Sequence, residues 1–254
     1  MFRYFFTPEL FLPENVGFSL YGPAHLIWLA VLALLDAALV ETYLRLRPAA
    51  RGRLKKWLSG GLLCLEILRD AYIIACGAWR WEYLPVHMCA FTMYLMILWA
   101  WRPCRWCGQV LYSLGLLGAL MALLFCNWTN QPIWQFQTVY SFLFHGLLVG
   151  YILMLLAARE IVPEPRGWLD SVLFLCVVVP PAAVLNAVLP DCNFFFLNGG
   201  SPGSPLTALV SLFGTPGWLI AYALLAAAVL GLEFLPAVLR ARRANQRRVH
   251  HYRS

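Results

Sequence analysis

The chain has 254 residues, 61% of them hydrophobic and 12% charged, with a net charge of +7 and a mean hydropathy of +0.69. Soluble globular domains are about 45–50% apolar and about 25% charged, so a soluble fold is excluded. Apolar runs near the ~20 residues needed to cross a bilayer recur along the whole length, and their continuity excludes a barrel of alternating strands. The composition predicts an all-α polytopic membrane protein.

Residues 1–21 are expected to form an extracytoplasmic N-terminal segment, with an amphipathic stretch at 2–12 lying on the membrane surface. They lack the basic, apolar and small-residue order of a cleaved signal peptide, so the first helix is expected to be retained. Seven spans follow within a transmembrane domain at 22–239: Gly22–Leu44, Trp57–Trp79, Pro85–Trp101, Cys107–Phe125, Phe136–Ala158, Trp168–Leu189 and Pro205–Leu235. The outer loop PDCNFFFLNGGSPGSPL, 190–206, reads as an ordered loop folded back towards the membrane surface. Residues 240–254 form a basic tail.

Lys and Arg placement sets the orientation. Arg45, Arg47, Arg51, Arg53, Lys55 and Lys56 follow the first span, Arg102 and Arg105 the third, and Arg159 and Arg166 the fifth. The tail adds Arg240, Arg242, Arg243, Arg247, Arg248 and Arg253, whereas the opposite side holds little beyond Arg3 and Arg80. The expectation is an N-terminus outside and a C-terminus in the cytoplasm of a bacterial cytoplasmic membrane. Basic residues so placed point away from nucleic acid as a partner, and the tail with His250 and His251 reads as anionic-lipid contact.

Ionisable residues inside spans are costly and mark candidate sites. In the second span, CLEILRDAY puts Glu66 beside Arg69 and Asp70 on one helix face, either as a self-neutralising pair or with Glu66 left to orient a histidine. Asp36 and Glu41 read as partners of nearby arginines, and Glu233 as an interfacial anchor. His145, in VYSFLFHGLLVGY, lies about nine residues, or ~13 Å, below the outer boundary. Cys89, in LPVHMCAF, lies about four residues, or ~6 Å, below it. Tilted helices can bring a thiol and an imidazole at those depths together, and the imidazole can then take the proton of a nucleophilic thiol. His87 is offset by two residues from Cys89 and faces another side of the helix, which makes it a supporting or head-group residue. Cys104 and Cys107 form a C-x-x-C without the second pair or strand context of a zinc or redox site.

LPVHMC resembles the LP-x-H-x-C signature of YwaF-like bacterial integral membrane proteins. GLLGALMALL, QFQTVYSFLFHG and NFFFLNGGSPGSPL resemble that family's further motifs, in its order, from about Glu66 onward. Animal relatives of the family are transmembrane acyltransferases that remodel phospholipids, with a cysteine and a histidine in these motifs as the proposed catalytic pair. The resemblance therefore implies an acyl-cysteine intermediate on Cys89 with His145 as base, and membrane phospholipids and lysophospholipids as partners. Asn193, Asn198 or backbone amides of the outer loop would then stabilise an oxyanion or grip the head group, and Glu66 would orient His145. This chemistry calls for no metal or nucleotide cofactor. The competing expectation is a small transporter or lipid carrier, with Glu66, Asp70 and His145 as a polar or proton pathway; a scaffold without chemistry is the third.

Overall fold

The structure, a computed structural model, describes residues 3–200 and 204–251, with side chains to Arg243. It is all helical among those residues. Helix α1 is Pro23–Arg45, α2 Pro48–Ala75 and α3 Met88–Trp101. Helix α4, Arg105–Val110, passes through a π-helical turn at Leu111–Gly115 into α5, Leu116–Leu124. Then come α6, Phe136–Ala157, α7, Gly167–Val188, α8, Pro205–Phe213, and α9, Gly217–His251.

Among the described residues, six segments are long and apolar enough to cross a membrane: α1, residues 81–101, 105–124, α6, α7 and residues 217–243. Helix α2 is longer still, at 28 residues, but its first turns carry Arg51, Arg53, Lys55 and Lys56. The expected second span starts at Trp57; the helix instead begins at Pro48, a residue preorganised for the first helical position, so the basic stretch is helix rather than loop. Arg51 closes the α1–α2 hairpin, donating to the carbonyls of Tyr43, Leu44 and Leu46 at 2.8–3.1 Å and satisfying the end of α1. The expected seventh span, Pro205–Leu235, is two helices. Gly214 takes a left-handed φ of 61° and Pro216 lacks an N–H, so α8 ends and α9 starts afresh. The basic tail continues α9 as helix to His251, while 252–254 and the loop residues 201–203 lie outside the described residues.

Helix α6 is the centre of the bundle and packs against α1, α2, α3 and α5. Gly146 and Gly150, one turn apart, let α1 approach closely. A Cβ on the first would sit 2.6 Å from Leu32, and one on the second 2.3 Å from the Asp36 carboxylate. Leu34, Leu68, Val177 and Leu224 point their apolar side chains outward, as lipid-facing positions do.

At one end of the bundle, residues 3–21 form a strap on which Phe6, Leu10 and Phe11 stay exposed. Pro8 and Pro13 bound a single 3-10 turn at Glu9–Phe11, and the strap is bonded down along its length. Phe136 N–H donates to Phe5 O, Gln135 Nε2 to Thr7 O, Glu9 N–H to Gln137 Oε1 and Phe18 N–H to Thr129 O, all at 2.9–3.0 Å. The other end is knotted by Glu160, which accepts from Tyr43 Oη and Lys55 Nζ, and by Arg105, which pairs with Glu164 and Asp170.

Candidate functional site: a thiol and imidazoles around a buried ion cluster

The LPVHMC stretch turns into α3 at the strap end. His87 is the N-cap residue in extended conformation, and Cys89 is the second residue of the helix. The expected start at Pro85 is thus moved three residues on, and Cys89 lies in the first turn, where the helix field is strongest. The first helical bond runs from Phe91 N–H to His87 O. The N–H groups of Met88, Cys89 and Ala90 meet no acceptor among the described residues, and the His87 side chain does not cap them. Its Nε2 donates instead to the Glu82 carbonyl at 3.1 Å, and its ring meets Phe194 edge-on.

His145 stands on α6, stacked on Trp128 with ring centroids 5.3 Å apart. Its Nδ1 lies 2.7 Å from the Ser141 carbonyl oxygen. A carbonyl only accepts, so Nδ1 carries the proton and Nε2 keeps a free lone pair. Among the described residues no hydrogen bond joins Cys89 to His145. Both are half-buried, and both lie within electrostatic reach of Glu66, as does His87.

Glu66 is buried at 6% exposure. Arg69 Nη2 donates to its Oε1 at 2.5 Å, Tyr140 Oη donates to its Oε2, and Arg69 Nε sits 3.1 Å from Asp70 Oδ1. The expected ion pair on one face of α2 therefore forms. The expected orienting bond from Glu66 to His145 does not, because Arg69 and Tyr140 take its oxygens and Ser141 supplies the carbonyl. The Arg69 guanidinium lies between the rings of Tyr83 and Tyr140, 5.6 and 5.2 Å from their centroids. The polar column continues outward through Tyr83 Oη to Arg80 and Glu9, with Arg80 pairing to Glu9 and Glu82 at 3.3 and 2.7 Å.

Asn193 and Asn198 hold the outer loop together. Asn193 donates to Gly199 O and accepts from Asn198 N–H, and Asn198 Nδ2 donates to Cys192 O. Asn186 of α7, which sequence reasoning missed, clamps both the N–H and the C=O of Phe194. Phe194 and Phe195 pack the loop against Leu84, Val86, Met88 and Phe91 beside Cys89.

A second cysteine–histidine pair was not foreseen. Cys126 Sγ lies 3.8 Å from Nε2 of His25, which is fully buried at the start of α1. Tyr21 N–H donates to His25 Nδ1 and Nε2 donates to Leu123 O, so this imidazole has no lone pair left for a thiol. Glu41 pairs with Arg45 as expected, whereas Glu233 is drawn inward, its Oε2 buried without a partner. No group of three His, Cys, Asp or Glu side chains among the described residues is placed to hold a metal ion. Among the described residues, an apolar groove between α7 and α9 around Trp168 and Phe234 and a polar cleft under the strap at Glu9 and Asn130 are lined by neither Cys89 nor His145.

The fold defines a polytopic helical membrane protein, with a thiol, two imidazoles and a buried ion cluster carried by α2, α3 and its N-cap, and α6. The chain belongs to the TMEM164 family, which it matches over residues 20–234. Neither the curated proteins nor the solved structures include a match to it.

Proposed function

We propose that the protein is an acyltransferase or transacylase of membrane phospholipids, working through an acyl-cysteine from the outer half of a bacterial cytoplasmic membrane. The YwaF-like motifs suggest this chemistry. The observation that carries it is the Nε2 lone pair of His145, left free by the Ser141 bond.

Cys89 attacks the ester carbonyl of a phospholipid as His145 Nε2 takes the thiol proton. The tetrahedral intermediate collapses with loss of the lysophospholipid oxygen, which receives that proton. The hydroxyl of an acceptor lysolipid then attacks the thioester, His145 takes its proton and returns it to the Cys89 sulfur. The unpaired N–H groups of Cys89 and Ala90 suit an oxyanion. Asn193 and Asn198 act one step back, by shaping the loop that faces the head group. This reading requires the Cys89 thiol and His145 to meet when lipid binds, and catalytic bonds are often loose without substrate.

The topology of this reading has seven crossings, by α1, α2, α3, α4–α5, α6, α7 and α9, with α8 at the outer surface and the tail inside. The test is to incubate purified protein with labelled phosphatidylcholine and look for a hydroxylamine-sensitive acyl adduct. Wild type should form it, Cys89→Ala should not, and His145→Ala should form it about 10²–10⁴-fold more slowly. Equal labelling of wild type and Cys89→Ala overturns the proposal.

The column Glu66–Arg69–Tyr83–Arg80–Glu9 favours a second reading, a transporter or lipid carrier with an intramembrane polar pathway. It requires Glu66→Gln or Asp70→Asn to abolish transport and Cys89→Ser to be tolerated, the reverse of the catalytic order.

A further inference from the structure

Glu66 carries a burial cost that a self-contained ion pair does not explain. A buried carboxylate survives by pairing, and one arginine would suffice for one glutamate. Helix α2 instead brings two carboxyls, Glu66 and Asp70, to the single guanidinium of Arg69, so the cluster holds one formal negative charge in excess. Tyr140 reaches across from α6 to donate to Glu66, and Tyr83 lies over Arg69 from the outer side. The titratable groups within electrostatic reach of Glu66 are His87, Cys89 and Tyr94 of the α3 region and Tyr140 and His145 of α6. Only the two imidazoles among these can gain positive charge. Of the two, His145 stands on the same helix as Tyr140, linked to it through Phe144 by ring contacts of 5.4 Å each.

We propose that Glu66, held in place by Tyr140 and Arg69, is the counter-charge for the imidazolium that forms on His145 when it takes the Cys89 proton, which makes Glu66 and Tyr140 positioning residues of the transfer. The inference rests on the acyl-cysteine reading. In the step concerned the S–H bond breaks, an N–H bond forms at Nε2, and the sulfur lone pair becomes the new C–S bond. The imidazolium persists until its proton passes to the departing lysophospholipid oxygen. Through that interval the Glu66 carboxylate acts on the new cation in a site of low dielectric, where a nearby charge acts strongly. Glu66 and Tyr140 are both buried and take no part in making or breaking a bond, so both are expected to act on the rate rather than on binding.

The experiment is single-turnover acyl transfer from labelled phosphatidylcholine to the full chain in nanodiscs, over a range of lipid concentrations. Glu66→Gln should slow adduct formation at saturating lipid about tenfold and leave the half-saturating concentration unchanged. Glu66→Asp should recover part of the rate. Tyr140→Phe removes one donor, keeps every charge and should slow the step by a smaller factor, which carries the test if Glu66→Gln does not fold. In a His145→Ala background, Glu66→Gln should cost nothing more, because its effect passes through the imidazole. A normal rate in Glu66→Gln or Tyr140→Phe, or a further drop on top of His145→Ala, overturns the counter-charge role while leaving the acyl-cysteine intact. Absence of any adduct in wild type overturns both.

Discussion

Proximity alone would select Cys126 and His25, whose sulfur and ring nitrogen are 3.8 Å apart, as the reactive pair. Hydrogen bonding reverses the choice. A base needs a nitrogen lone pair, and His25 has spent one nitrogen on the Tyr21 N–H and the other on the Leu123 carbonyl, whereas His145 spends only Nδ1. His25 therefore ties the start of α1 to the end of α5. Replacing it with alanine strands the part-buried Tyr21 N–H and the buried Leu123 carbonyl and should cost about 1–3 kcal/mol, seen as a lower melting temperature in detergent. Cys126→Ala should form the acyl adduct like wild type. A melting temperature unmoved by His25→Ala would refute this assignment. Cys89 and His145 could be put forward from the sequence because histidines deep in a span are few, and because the LPVHMC and FLFHG motifs resemble a known pair. The tautomers were not legible, since they depend on which carbonyls and amides the fold presents to each ring.

Among the elements, the strap over the site end answers to backbone contact. Gly17 lies against the α5–α6 loop so closely that a Cβ would fall 2.1 Å from Thr129 O and 2.9 Å from the Asn130 backbone. Backbone cannot swing aside as a side-chain tip can, so Gly17→Ala should lift this part of the strap at about 1–3 kcal/mol, the usual scale for forced overpacking. The measurement is protease cleavage within residues 12–19 of reconstituted protein, expected to be faster in the variant; an unchanged rate would show that the strap holds without this contact. The strap was invisible in the sequence because its bonds run to residues more than a hundred positions away, as from Glu9 to Gln137 and Asn130. Helices α6 and α7 appear within a residue of their expected bounds, because long apolar runs bounded by polar residues leave little freedom. The break before α9 was written in Gly214-Thr215-Pro216-Gly217 but masked by the apolar residues on both sides, and the π turn at Leu111–Gly115 reflects packing against α3 and α6.

On the scale of the whole molecule, the two ends of the bundle differ in charge and in purpose. The strap, the α2–α3 turn, the α5–α6 loop and the Phe194 loop meet at the site end, where Arg3 and Arg80 are the basic loop residues. The α1–α2, α3–α4 and α6–α7 connections with the helix turns that flank them, and the basic tail, carry all the other arginines and lysines but Arg69. An excess of Lys and Arg in short loops is retained on the cytoplasmic side during insertion, so the site end is expected to face outward. That direction matters for the chemistry, because Cys89 opens α3 and would meet lipid esters only in the leaflet nearest the strap. Cysteines introduced at Glu14 and at Arg243 test it. In intact spheroplasts a membrane-impermeant maleimide should label the first and spare the second, and permeabilisation should expose both. The opposite pattern would put the thiol in the inner leaflet, and donor and acceptor lipids would then have to be sought there.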